Sequence, residues 1–68
     1  MAAARVAEIN ASSTTSFSEA VKEALVRAHD TLENVKSAWV KDQKVLIDEK
    51  DDVSEYRVLL KITSVHRD

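Results

Sequence analysis

The sequence predicts an α+β fold, a three-stranded antiparallel sheet packed on one helix in the order β-α-β-β. Three observations carry this. Side chains alternate with a period of two over residues 5–12, 35–47 and 53–66. Apolar residues recur at gaps of three and four from Phe17 to Leu32. The charged run Asp48-Glu49-Lys50-Asp51-Asp52 separates the last two alternating segments by no more than a turn, which makes them an antiparallel hairpin.

In the first strand, residues 5–12, Ala7, Ile9 and Ala11 alternate with Glu8 and Asn10. Ser12, Ser13, Thr14 and Thr15 form a polar loop. Ser16-Phe17-Ser18-Glu19 then reads as a capping box, with the Ser16 hydroxyl on the Glu19 amide and the Glu19 side chain reaching back to the Ser16 N–H. Phe17, Ala20, Val21, Ala24, Leu25, Ala28 and Leu32 make the buried stripe of the helix, and Lys22, Glu23, Arg27, Asp30 and Glu33 its outer face. Glu23 stands four residues before Arg27, a favourable helical pair. The helix is predicted to end near Asn34, a residue that tolerates a left-handed cap.

The second strand spans residues 35–47. Ala38 and Val40 mark one face, and Ser37, Trp39, Lys41, Gln43, Val45 and Ile47 the other. The third strand, residues 53–66, puts Tyr56, Val58, Leu60 and Ile62 on one face and Arg57, Leu59, Lys61, Thr63 and Val65 on the other. One helix covers one sheet face. The second face, carrying Trp39, Leu59, Val65 and also Val45 and Ile47, is too apolar for a monomer to leave wet.

The chain has 68 residues, read as a single domain over 1–68. One core of this size leaves a net stability of about 3–5 kcal/mol, so a staple is expected. With no cysteine there is neither a disulfide nor a thiolate zinc site. His29 and His66 form no ligand motif. Self-association remains. Glycine and proline are both absent, against about five and three in an average chain of this length. That excludes phosphate-cradling loops, dinucleotide fingerprints and EF-hands, all of which require glycine. A net charge of −2 argues against nucleic acid as a main partner. No stretch reads as a signal peptide or a membrane span, so the cytoplasm is the expected location.

No catalytic constellation is visible, since nothing orders Ser, Asp and His as nucleophile, base and orienter. The chain is therefore read as a non-enzyme. Asp48, Glu49, Asp51 and Asp52 fit no calcium-loop spacing and read as a solvated turn. His29 has Leu32 and Glu33 at the positions where a metal-ligating partner would stand. Trp39 reads as subunit packing, with ligand stacking as the alternative. Arg57 reads as one half of an ion pair with a Glu or Asp of a neighbouring subunit, with an anionic ligand held by its planar fork as the alternative.

In order and spacing, Ser12-Ser13, Ser16-Phe17, Arg27-Ala28, Thr31, Asn34-Val35, Ala38, Val40, Asp42-Gln43 and Tyr56 resemble the dodecins over nearly the whole chain. The resemblance implies a homododecameric hollow shell of β-α-β-β subunits that binds and stores a small molecule, commonly a flavin such as FMN or riboflavin. Flavin-binding members stack the ring on a tryptophan early in the second strand and hydrogen-bond it with a glutamine after the third-strand tyrosine. Those positions are Ser37 and Arg57 in this sequence. Trp39 lies on the same strand face as Ser37, about 6–7 Å further along. A family glycine is Lys44, and a phenylalanine near the chain end is Ser64. The branch lacking the tryptophan has been linked to calcium, and Tyr56-Arg57 resembles that branch. The ligand-binding residues expected on this basis are Ser37, Trp39, Asp42 and Arg57. The alternative is a structural oligomeric scaffold without flavin, associated with calcium.

Overall fold

The computed structural model describes residues 2–67, with side chains for 3–65. The elements are β1 (Ala2–Ser13), α1 (Phe17–Thr31), β2 (Val35–Ile47) and β3 (Val53–Arg67). β3 is central and pairs antiparallel with both β1 and β2, giving the order β1-β3-β2. The predicted fold class holds. β1 begins earlier than the alternation indicated, because Ala2, Ala3 and Ala4 carry no face signal of their own yet pair with the end of β3.

The core explains why the helix sits where it does. Ala20, Ala24 and Ala28, spaced one turn apart, are wholly buried against Ala11, Val58, Leu60 and Ile62. Alanine methyls let the helix axis approach the sheet closely, leaving Leu60 and Ile62 to fill the gap. Phe17 meets Tyr56 edge-on at 5.1 Å between ring centres, fixing the start of the helix over the sheet.

The Ser16 hydroxyl accepts from the Glu19 amide at 3.1 Å, as expected of the cap. The reciprocal half of the box does not form. The Ser16 and Thr15 amides both donate to the Ser13 hydroxyl, which leaves Glu19 to pair with Lys22. The helix also ends at Thr31, three residues before Asn34. Leu32 turns extended and packs against the core, its N–H donating to the Ala28 carbonyl at 2.7 Å. Asn34 takes a left-handed conformation, φ 52°, in the turn into β2 rather than as the helix cap. Its side-chain amide donates to the Val65 carbonyl, and its own carbonyl accepts from the Val65 amide, both at 3.1 Å.

Without glycine, the β2–β3 turn relies on aspartates. Asp51 adopts φ 64°, a region aspartate enters more readily than most residues. The Asp48 carboxylate accepts from the Lys50 and Asp52 amides.

The molecule is long and thin, 54 × 18 × 13 Å. A 15-residue helix spans only about 22 Å, so much of the hairpin lies beyond its reach. The helix lies over β1 and β3 and touches β2 least. Within β2 only Val35 and Leu46 are even half-buried. Among the described residues no helix is long and apolar enough to cross a membrane.

Candidate functional site

The sheet face turned away from the helix is organised in rows by the strand register. Val6, Thr63 and Ser37 align, followed by Glu8, Lys61 and Trp39, then Asn10, Leu59 and Asp42, then Ser12, Arg57 and Lys44. The four expected ligand-binding residues thus share one face, each in a different row.

The register also corrects the strand reading. Pairing shifts by one residue between Val40 and Asp42, a β-bulge with Lys41 as the extra residue. Beyond it Gln43 pairs with Val58 and Val45 with Tyr56, both on the helix side. Neither shares the Trp39 face, contrary to the simple alternation. A further shift, between Leu46 and Ile47, sets Ile47 opposite Val53 and leaves Ser54 as the extra residue, this time on β3. Lys41 and Asp42 both point outward at the bulge, and the Lys41 ammonium reaches across β3 to the Glu8 carboxylate at 2.7 Å. That hydrogen bond, the Lys41 charge and the nearby Lys61 charge hold the Glu8 carboxyl below the usual glutamate range, against a small opposing effect of burial.

Trp39 is 66% exposed, with the Lys61 ammonium 6.0 Å from its ring centre. Val6, on the same face, is 56% exposed. At the far end of the face is an open cleft of about 320 Å³. β1 contributes Asn10 and Ser12, β3 Arg57 and Leu59, and β2 Asp42 and Lys44. Arg27 reaches it from the helix, donating to the Asn10 carbonyl at the free edge of β1 (2.9 Å) while pairing with Glu23 at 3.7 Å. Arg57 donates through Nε to Glu55 of the same chain at 2.7 Å, whereas the sequence reading places its partner carboxylate on a neighbouring subunit.

Of the four expected residues, Asp42 and Arg57 line this cleft; Ser37 and Trp39 lie in the rows beyond it. Sequence reasoning did not single out Lys44 or Arg27 as cleft residues. The available signal was the position of Arg27 on the outer helix face. His66 has no described side chain, and His29 is exposed on the helix.

A single helix covers one face of a three-stranded sheet, and the opposite face is uncovered, with Val6 and Trp39 more than half exposed on it. The Dodecin family profile matches residues 3–66, and the chain belongs to the Dodecin family. The fold superposes on a tryptophan-to-phenylalanine mutant of the Thermus thermophilus dodecin with a TM-score of 0.89, at 26% identity over 100% of both chains. A dodecin from Streptomyces coelicolor matches with a TM-score of 0.89 at 25% identity, over 98% of this chain and 94% of that one. A Mycobacterium tuberculosis protein described as a calcium chelating immunodominant antigen, calcium dodecin, matches with a TM-score of 0.81 at 29% identity, over 96% of this chain and 91% of that one. No curated protein sequence matches the chain.

The residues present do not fit the stacked flavin of the family. Ser37 offers no ring, and the neighbouring Trp39 has Lys61 set over its face. No set of three or more His, Asp and Glu side chains among the described residues converges to hold a metal.

Proposed function

We propose that the chain is the subunit of a non-enzymatic homododecameric shell that binds and sequesters a small ligand where outer sheet faces meet. The observation carrying this is the uncovered face itself, with Trp39 and Val6 more than half exposed on a chain whose largest fully buried apolar side chains are Leu60 and Ile62. A chain this small gains stability chiefly by covering such surface. The roughly 20 Å between the Ser37 and Arg57 rows supports a ligand held between copies, because one small molecule touching both positions must lie where two chains meet. Membership of the Dodecin family supports self-association.

A second reading, an oligomeric scaffold without flavin and associated with calcium, is favoured by the likeness to the M. tuberculosis calcium dodecin.

Native mass spectrometry of the protein purified without added cofactor tests both readings. A dodecamer carrying a small organic ligand is the result expected of the shell. A dodecamer whose extra mass is calcium alone, removed by chelation, selects the second reading. A monomer overturns both.

A further inference from the structure

We infer that the cleft at the end of the outer face is an anion site, taking a small molecule that carries a phosphate or carboxylate group. This deepens the ligand-binding reading above and rests on it. The central observation is that Lys44 and Arg57 are direct cross-strand partners on the same face. Like charges placed opposite each other in a ladder repel and destabilise the sheet unless an opposite charge lies between them. Among the described residues Lys44 makes no ion pair and no side-chain hydrogen bond.

Arg57 gives only its Nε to Glu55. A guanidinium has five donors, so the rest of the fork remains for a ligand. That pair is half exposed on the arginine side. Arg27 adds a third cation at the rim, anchored by its Nη1 bond to Asn10. Asp42 opposes them as the single carboxylate lining the cleft. Arg27 and Arg57 each have a glutamate partner, Glu23 and Glu55, so Lys44 is, among the described residues, the cation of the cleft that no side chain pairs. Leu59 provides an apolar floor and Ser12 a hydroxyl. At about 320 Å³ the cleft is at the small end of ligand sites.

The test is calorimetric titration of the full chain with inorganic phosphate and with citrate, against chloride at matched ionic strength, with the mass followed by light scattering. Saturable binding of either anion, absent with chloride, is expected, and which of the two binds identifies the group recognised. Arg57→Gln and Lys44→Gln should each weaken that binding about tenfold or more, and Lys22→Gln on the outer helix face should not. If Arg57→Gln fails to assemble, Lys44→Gln carries the test. Identical responses to phosphate, citrate and chloride, or binding that survives the variants unchanged, overturn the site. An assembled shell that ignores both anions overturns the anion site and leaves the shell standing. A monomer that binds phosphate does the reverse.

Discussion

The Lys61 ammonium stands 6.0 Å from the centre of the Trp39 ring, across the ladder in which the two residues are direct partners. On its other side Lys61 faces Glu8, whose carboxylate already receives Lys41. A line of charge ending in an indole therefore crosses all three strands. An exposed cation–π contact contributes about 0.5–1 kcal/mol. That is little for a tryptophan left 66% exposed, so its main partner is expected to be another subunit.

Trp39→Ala is expected to impair assembly. Truncating a well-placed interface tryptophan can cost about 2 kcal/mol or more, and the loss recurs at every copy of a closed shell. Sizing chromatography at low micromolar concentration should show smaller species, with or without ligand. A mutant that stays fully assembled with an unchanged melting temperature would assign Trp39 to ligand contact instead.

Light scattering of the unmodified chain should give a mass near that of a dodecamer. A clean monomer at micromolar concentration would overturn the proposed shell and the argument that so small a core needs partners.

Riboflavin should bind weakly, and the double variant Ser37→Trp, Arg57→Gln should bind it about tenfold more tightly or better, since stacking on one aromatic side chain contributes about 1–3 kcal/mol. Fluorescence quenching on titration reads both. Nanomolar binding by the unmodified chain would show that Trp39 already serves as the platform.

Glu8 predicts a pH dependence. Its folded-state pKa lies below the unfolded one because Lys41 holds the carboxylate by hydrogen bond and charge. The stabilisation is present above the unfolded pKa and is lost as pH falls through the folded value. Glu8→Gln should lower the melting temperature near neutral pH, and the difference should vanish toward pH of about 3, below the ordinary glutamate range. High salt should shrink it, the pair being exposed. A difference independent of pH would place the effect elsewhere.

Ala24 is wholly buried between helix and sheet. Ala24→Leu should destabilise the fold by about 1–3 kcal/mol by forcing the helix outward, measured by chemical denaturation. A neutral result would show slack at the helix–sheet contact.

The element order, the helix stripe and the alternation of β3 were all legible in the sequence, because each is a local period written in apolar residues. Ala20, Ala24 and Ala28 fall on one face whatever the helix packs against, and Val58, Leu60 and Ile62 declare the buried side of β3 unaided. The Ser16 cap was legible for the same reason, being a bond between near neighbours. From Lys41 to Lys44 the sequence offers only Lys, Asp, Gln and Lys, and a polar run holds no preferred face. There the tertiary structure decided. Pairing with β3 forces a bulge at Lys41, and a slip of one residue exchanges the faces of all that follows. That slip moved Gln43 and Val45 to the helix side, turned Asp42 and Lys44 outward, and set Lys44 opposite Arg57. Residue type was local information, but the meeting of two cations at one end of the sheet depended on a register that only the partner strand could set.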